Sequence, residues 1–132
     1  MAKITMKEGK SLDAQGRNRA LREKAKEARK HPTKAERSLQ LALNKGYYRF
    51  RHKKPWAGEV VDLWCSVLYL GVQIHPGENE LGAEFKGKNT CILHFSEDEV
   101  LGEMWAVVQI VQAAARSQEA LIRVRRERVE DE

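Results

Sequence analysis

The stretch that most constrains this chain runs from Glu59 to Asn79 and reads EVVDLWCSVLYLGVQIHPGEN. It reads as two strands joined by a tight connection. In the first, Val60, Asp62 and Trp64 fall on one side and Val61 and Leu63 on the other. In the second, Leu68, Leu70, Val72 and Ile74 alternate with Tyr69, Gly71, Gln73 and His75. A period of two points Gln73 and His75 the same way, at the end of an otherwise aliphatic strand. Pairing the strands as a hairpin brings Asp62 beside them, so three polar groups are expected to converge at one sheet edge.

The flanking segments supply helices and a further strand. Residues 1–16 carry no steady period and read as a flexible arm. Residues 17–30 form a basic helix with a weak stripe at Leu21, Ala25 and Ala28. His31-Pro32 ends it, and Thr33 to Glu36 opens a second helix in capping-box form, with Ala35, Leu39, Ala42 and Leu43 as its apolar face. Glu36 has two compatible roles, closing that box or facing the site across the sheet. Tyr47–Arg51 alternates aromatic and basic residues and reads as a strand, followed by a basic loop over residues 52–58. Residues 80–88 have room for two helical turns, with Leu81 and Phe85 facing the core. Residues 90–95 read as a buried strand containing His94, and residues 97–116 as an apolar closing helix that includes Leu101 and Trp105. Residues 117–132 are mostly charged and read as a tail, either a helical extension or frayed. The expected fold class is α+β, a three- to four-stranded mixed sheet flanked by helices within one domain over 17–116.

Charge separates the two halves of the chain. Residues 1–58 carry 17 Lys and Arg against 5 Asp and Glu, a net of +12, whereas residues 59–132 carry 7 against 14, a net of −7. A basic half on a small domain suits a polyanion, because phosphate contacts release condensed counterions. Arg49, Arg51, His52, Lys53 and Lys54, with Trp56 among them, are the candidate nucleic-acid contacts, cationic groups beside an aromatic. Trp56 reads equally well as a plug over the core. The acidic half leaves room for a protein-interaction role with a basic partner. No apolar run approaches the roughly 18 residues of a membrane span, so an intracellular, cytoplasmic location and no membrane partner are expected. Cys65 and Cys91 lack the nearby partners of a zinc site and read as free buried thiols.

Taken together, Asp62 after two valines, the short hairpin, the aliphatic strand ending Gln73-Ile-His75-Pro-Gly77, and the helix opening HPTKAERSLQLAL resemble the family called domain of unknown function 559. That family is related to very-short-patch-repair endonucleases and to the PD-(D/E)XK fold. Asp62 and Glu36 match its acidic positions. Gln73 stands where it usually has glutamate, and His75 where it usually has a second acid. The resemblance implies a restriction-endonuclease-like core and metal-dependent phosphodiester hydrolysis of double-stranded DNA. It implies Asp62, Gln73, His75 and Glu36 as catalytic residues, with Mg²⁺ or Mn²⁺ held by Asp62, Gln73 and, in place of a missing carboxylate, Glu78. The alternative is an inactive nucleic-acid-binding module on the same scaffold.

Overall fold

The computed structural model describes residues 19–56, 59–76, 82–86 and 89–131. The expected arm over residues 1–16 and Glu78 lie outside them. In chain order the elements are α1 (residues 19–28), α2 (Lys34–Leu43), β1 (Arg51–Trp56), β2 (Glu59–Cys65), β3 (Leu70–His75), β4 (Gly82–Lys86), β5 (Thr90–Ser96), α3 (Glu97–Gly102) and α4 (Met104–Asp131). Among the described residues the architecture is a mixed α+β one: five strands, rather than three or four, in the order β1-β2-β3-β5-β4. Of these described strands β3 and β5 run parallel, and the other neighbouring pairs are antiparallel.

The main core lies between one face of this sheet and helices α2 to α4. Leu63, Cys65, Leu70, Val72, Cys91 and Leu93 from the strands meet Leu39 and Leu43 of α2, Val100 of α3, and Val107 and Val111 of α4. The amphipathic spacing of α2 supplies this contact, with Ala35, Glu36, Leu39 and Leu43 buried. A smaller cluster of Val61, Trp64 and Ile92, with Trp56 packed on it, covers the other face. Trp56 stacks on Trp64 at 4.8 Å between centroids, so its ring is engaged as a plug. Cys65 and Cys91 are free, and burial pushes both thiols above their ordinary value.

Three expectations are corrected by the geometry. First, residues 47–50 are not a strand. Helix α2 satisfies the backbone there instead: Phe50 N donates to Asn44 Oδ1 (2.8 Å), and Gln40 Nε2 donates to Phe50 O (2.9 Å). The strand begins at Arg51 and takes in most of the expected loop, and Pro55 is tolerated because β1 is an edge strand. Second, residues 82–86 form an edge strand against β5 rather than a helix, and Phe85 stands 71% exposed. So short a helix gains little from its own hydrogen bonds, whereas pairing covers the open edge of β5. Third, the closing helix breaks at Glu103, whose backbone (φ −128°, ψ 42°) is not helical. The break leaves Leu101 and Trp105 exposed. Of the two forms expected for the charged tail, the helical extension is the one seen: residues 117–131 continue α4, and Gln118 is buried there. Among the described residues no helix is long and apolar enough to cross a membrane.

Among the described glycines, Gly71 leaves the least room for a side chain. A Cβ there would lie 2.7 Å from Val61 Cγ1 and 2.8 Å from Ile92 Cδ1. Both neighbours are buried, so neither can move away freely. Gly71→Ala is expected to cost about 2 kcal/mol of stability through overpacking. A urea midpoint unchanged by the substitution would contradict this packing.

Candidate functional site

The helix-covered side of the sheet carries a charged cluster at the β1–β2–α2 junction. Strict alternation would place Val61 and Trp64 on opposite faces. They pack in one cluster instead, so the alternation slips by one position between them. The slip falls at Asp62. Lys53 stands opposite Asp62 in the β1–β2 register yet is not paired with it, and its φ is +51°. A left-handed lysine is a strained residue that neighbours must hold in place. Arg29, just past the end of α1, does so, donating from Nε to His52 O (3.2 Å) and from its terminal nitrogen to Lys53 O (2.8 Å).

That backbone turn drives the Lys53 side chain inward. Its Nζ lies 2.8 Å from Glu36 Oε1 and 2.6 Å from Asp62 Oδ1, so one ammonium bridges two carboxylates. Burial alone would pull the Lys53 pKa down, but the hydrogen bonds to Asp62 and Glu36 outweigh it, and the group is held above its ordinary value. Asp62 Oδ2 accepts from Ile74 N (2.8 Å), which ties the cluster to β3 where β2 and β3 part. Gln73 Oε1 accepts from Asp62 N (2.8 Å), and Gln73 Nε2 donates to Val60 O (3.1 Å) and Glu59 Oε1 (3.2 Å). A glutamate at position 73 would lose those donated bonds and set its carboxylate against that of Glu59.

Glu36 does not close the capping box, because its side chain is turned towards the site. Its backbone N donates to Thr33 Oγ1 (3.1 Å), making half of the capping box, while its side chain turns to Lys53. Oε2 of Glu36 and Nδ1 of His52 are buried without a hydrogen-bond partner and lie 3.9 Å apart. Burial pushes the His52 pKa down; Glu36 opposes this, and Lys53 adds to it. The folded state therefore binds fewer protons than the unfolded one below the ordinary value of 6.5, and stability falls as pH drops through that window. A shallower loss between pH 7 and pH 5 is expected for His52→Gln than for wild type. Equal slopes in urea titrations would remove His52 from the cluster.

His75 is not brought to Asp62. Leu70 and Val72 enter the main core, so Gly71, Gln73 and His75 face the opposite way. There His75 Nε2 lies 2.8 Å from His94 Nδ1, and His94 Nε2 lies 2.8 Å from Glu84 Oε1. The other candidates divide. Arg49 donates to Asn44 O (2.6 Å) and Arg51 is exposed. Lys54 lines a groove of about 460 Å³ with Arg22, Glu23 and Lys26 of α1 and with Arg29 just after it.

Lys53 is the residue whose place sequence reasoning missed, because a basic residue in an apparent loop looks like a phosphate contact. The available signal was the hairpin itself, which puts Lys53 across from Asp62 once β1 is extended to Trp56.

A divalent cation fits this donor set poorly. Among the described residues no group of three or more His, Cys, Asp or Glu is arranged to hold a metal ion. Glu36 and Asp62 each spend an oxygen on Lys53, Gln73 Oε1 is taken by a backbone amide, and His75 faces away. Mg²⁺ asks for several oxygen ligands in near-octahedral array, and an ammonium held by the two carboxylates opposes its entry. The chain matches no protein-family model and no curated protein.

Proposed function

We propose that the protein binds nucleic acid, double-stranded DNA in first place, on a restriction-endonuclease-like scaffold, and that it holds DNA without cutting it. The observation that carries this reading is the Lys53 ammonium seated between Glu36 and Asp62. In the resemblance Asp62 would hold a metal ion with Glu36 as a catalytic residue beside it; here a side chain of the chain itself neutralises both carboxylates. The mixed sheet with helices packed on it, and Asp62 and Gln73 meeting where β2 and β3 part, support the scaffold. The basic groove between α1 and β1 supports the binding surface, since Lys26 and Lys54 lie along it beside Arg22 and Arg29. Such contacts are to phosphates and carry little sequence information.

Salt dependence tests this reading. Wild type is expected to bind duplex DNA at low salt with log affinity falling linearly in log salt. The double substitution Lys26→Ala, Lys54→Ala should lower affinity and reduce the slope by about 2, one unit per phosphate contact. Arg29 and Lys53 are left intact because both hold the fold. Fluorescence anisotropy showing an unchanged slope would place the DNA elsewhere, and no binding at low salt would end the proposal.

A further inference from the structure

A second basic surface lies at the opposite end of β1. Tyr47, Tyr48, Arg49 and Arg51 face Arg123 and Arg126 of α4 across a cleft of about 740 Å³, floored by Trp64 and Leu68. Among the described residues the side chains of Arg51, Arg123 and Arg126 make no hydrogen bond or ion pair. The one carboxylate in the lining, Glu119, accepts from the Tyr48 hydroxyl, and that bond together with burial pushes the Tyr48 pKa up to about 12. Four guanidinium groups thus converge against a single, already engaged anion. Guanidinium forks match phosphate oxygens in shape as well as charge.

The cleft also offers an aromatic surface. The Tyr47 ring is 89% exposed and is held edge-on against Tyr48 at 4.9 Å and 87°. An exposed tyrosine held beside unpaired arginines is the combination that single-stranded nucleic acid uses, with base on ring and phosphate on guanidinium. Duplex bases are stacked on one another and offer no free face to Tyr47. The cleft adjoins the carboxylate–lysine cluster. Arg51 and Trp64, opposite each other in the β1–β2 register, lie two strand positions from Lys53 and Asp62, about 7 Å along the strands.

We infer that this cleft is a distinct single-strand site, seating an unstacked nucleotide on Tyr47 with its phosphates on Arg51, Arg123 and Arg126. The inference rests on the nucleic-acid reading of the preceding subsection and adds to it a second form of ligand. A protein with both surfaces would hold a junction between duplex and single strand.

Anisotropy with a short fluorescein-labelled oligothymidylate and a matched duplex tests it, using wild type, Arg123→Ala/Arg126→Ala, Tyr47→Ala and Lys26→Ala/Lys54→Ala. The cleft variants are expected to lose single-strand affinity about tenfold each, the scale of one base stack or of two phosphate contacts, with duplex affinity changed less than about twofold. The groove variant should show the reverse. Duplex binding by wild type with single-strand affinity unchanged in both cleft variants overturns the cleft and leaves the duplex reading standing. Single-strand binding lost in the cleft variants, with no duplex binding by wild type, sinks the duplex reading and keeps the cleft. Wild type binding neither ligand sinks both. Loss in the arginine variant without loss in Tyr47→Ala, or equal displacement of the oligonucleotide by a phosphorylated peptide, reduces the cleft to a general anion site and overturns the inference.

Discussion

Replacing Lys53 with glutamine is expected to destabilise the protein by about 3 kcal/mol, the scale of leaving buried carboxylates without their cation. The cost falls on two groups at once, because Glu36 and Asp62 both lean on the same ammonium. It is also a large share of what holds a small domain together, which is about 5–15 kcal/mol in total. The pH window follows from the sign of the shift. Lys53 is held above its ordinary value of 10.5, so its stabilisation is fully present below that value and is lost as pH rises through the folded one. The gap between wild type and Lys53→Gln should therefore stay level from pH 7 to pH 9 and close only in strong alkali. A further Glu36→Gln substitution should recover part of the loss, since it removes one of the two stranded charges. Urea midpoints that leave Lys53→Gln as stable as wild type would place the lysine in solvent.

A comparably large effect is expected at Gln118. Its Nε2 donates to Leu68 O (2.9 Å) and Asn89 O (2.5 Å), with Tyr69 O at 3.5 Å. One buried amide thus ties the turn after β2 and the residue before β5 to α4. Gln118→Met keeps the volume and removes the donors, leaving two carbonyls unsatisfied at about 1–3 kcal/mol apiece, so a loss of about 3 kcal/mol is expected. Arg116→Gln, two residues away and exposed, should change stability by less than about 0.5 kcal/mol. If both substitutions behave alike, α4 beyond residue 116 is not docked on the sheet as described.

What could be read in advance follows from which forces are local. The β2–β3 hairpin was legible because aliphatic alternation and burial agree, and α2 because its cap, apolar stripe and stop are all encoded within a dozen residues. The start of β1 was not, because Gln40 and Asn44 take over the backbone of Phe50, a contact that no period reveals. Phe85 misled for a related reason: its spacing from Leu81 suits a helix, but the open edge of β5 decides the matter. Residues 117–131 left a helical extension and a frayed tail equally open, because the residue buried there, Gln118, is polar and carries no hydrophobic signal. At the site, the alternation of β3 does place Gln73 and His75 on one side, as read. The reading of Asp62 assumed an unbroken strand, and the slip between Val61 and Trp64 removes that assumption. The part played by Lys53 needs a positive φ, which a lysine gives no warning of.

The most direct test of the account is a thermal melt of wild type and Lys53→Gln, each with and without millimolar Mn²⁺ or Mg²⁺, run beside a nicking assay on supercoiled plasmid. With the ammonium gone, Glu36 and Asp62 face each other uncompensated, and a divalent ion becomes the cation that can rejoin them. Lys53→Gln should therefore gain stability with metal, by about 2.7 kcal/mol once the ion reaches a hundred times its dissociation constant. Wild type, whose carboxylates are already neutralised, should show no metal-dependent shift and no metal-dependent nicking. A metal-dependent rise in the wild-type melting temperature, with nicking that Asp62→Ala abolishes, would contradict the account and make the cluster a metal-dependent nuclease centre.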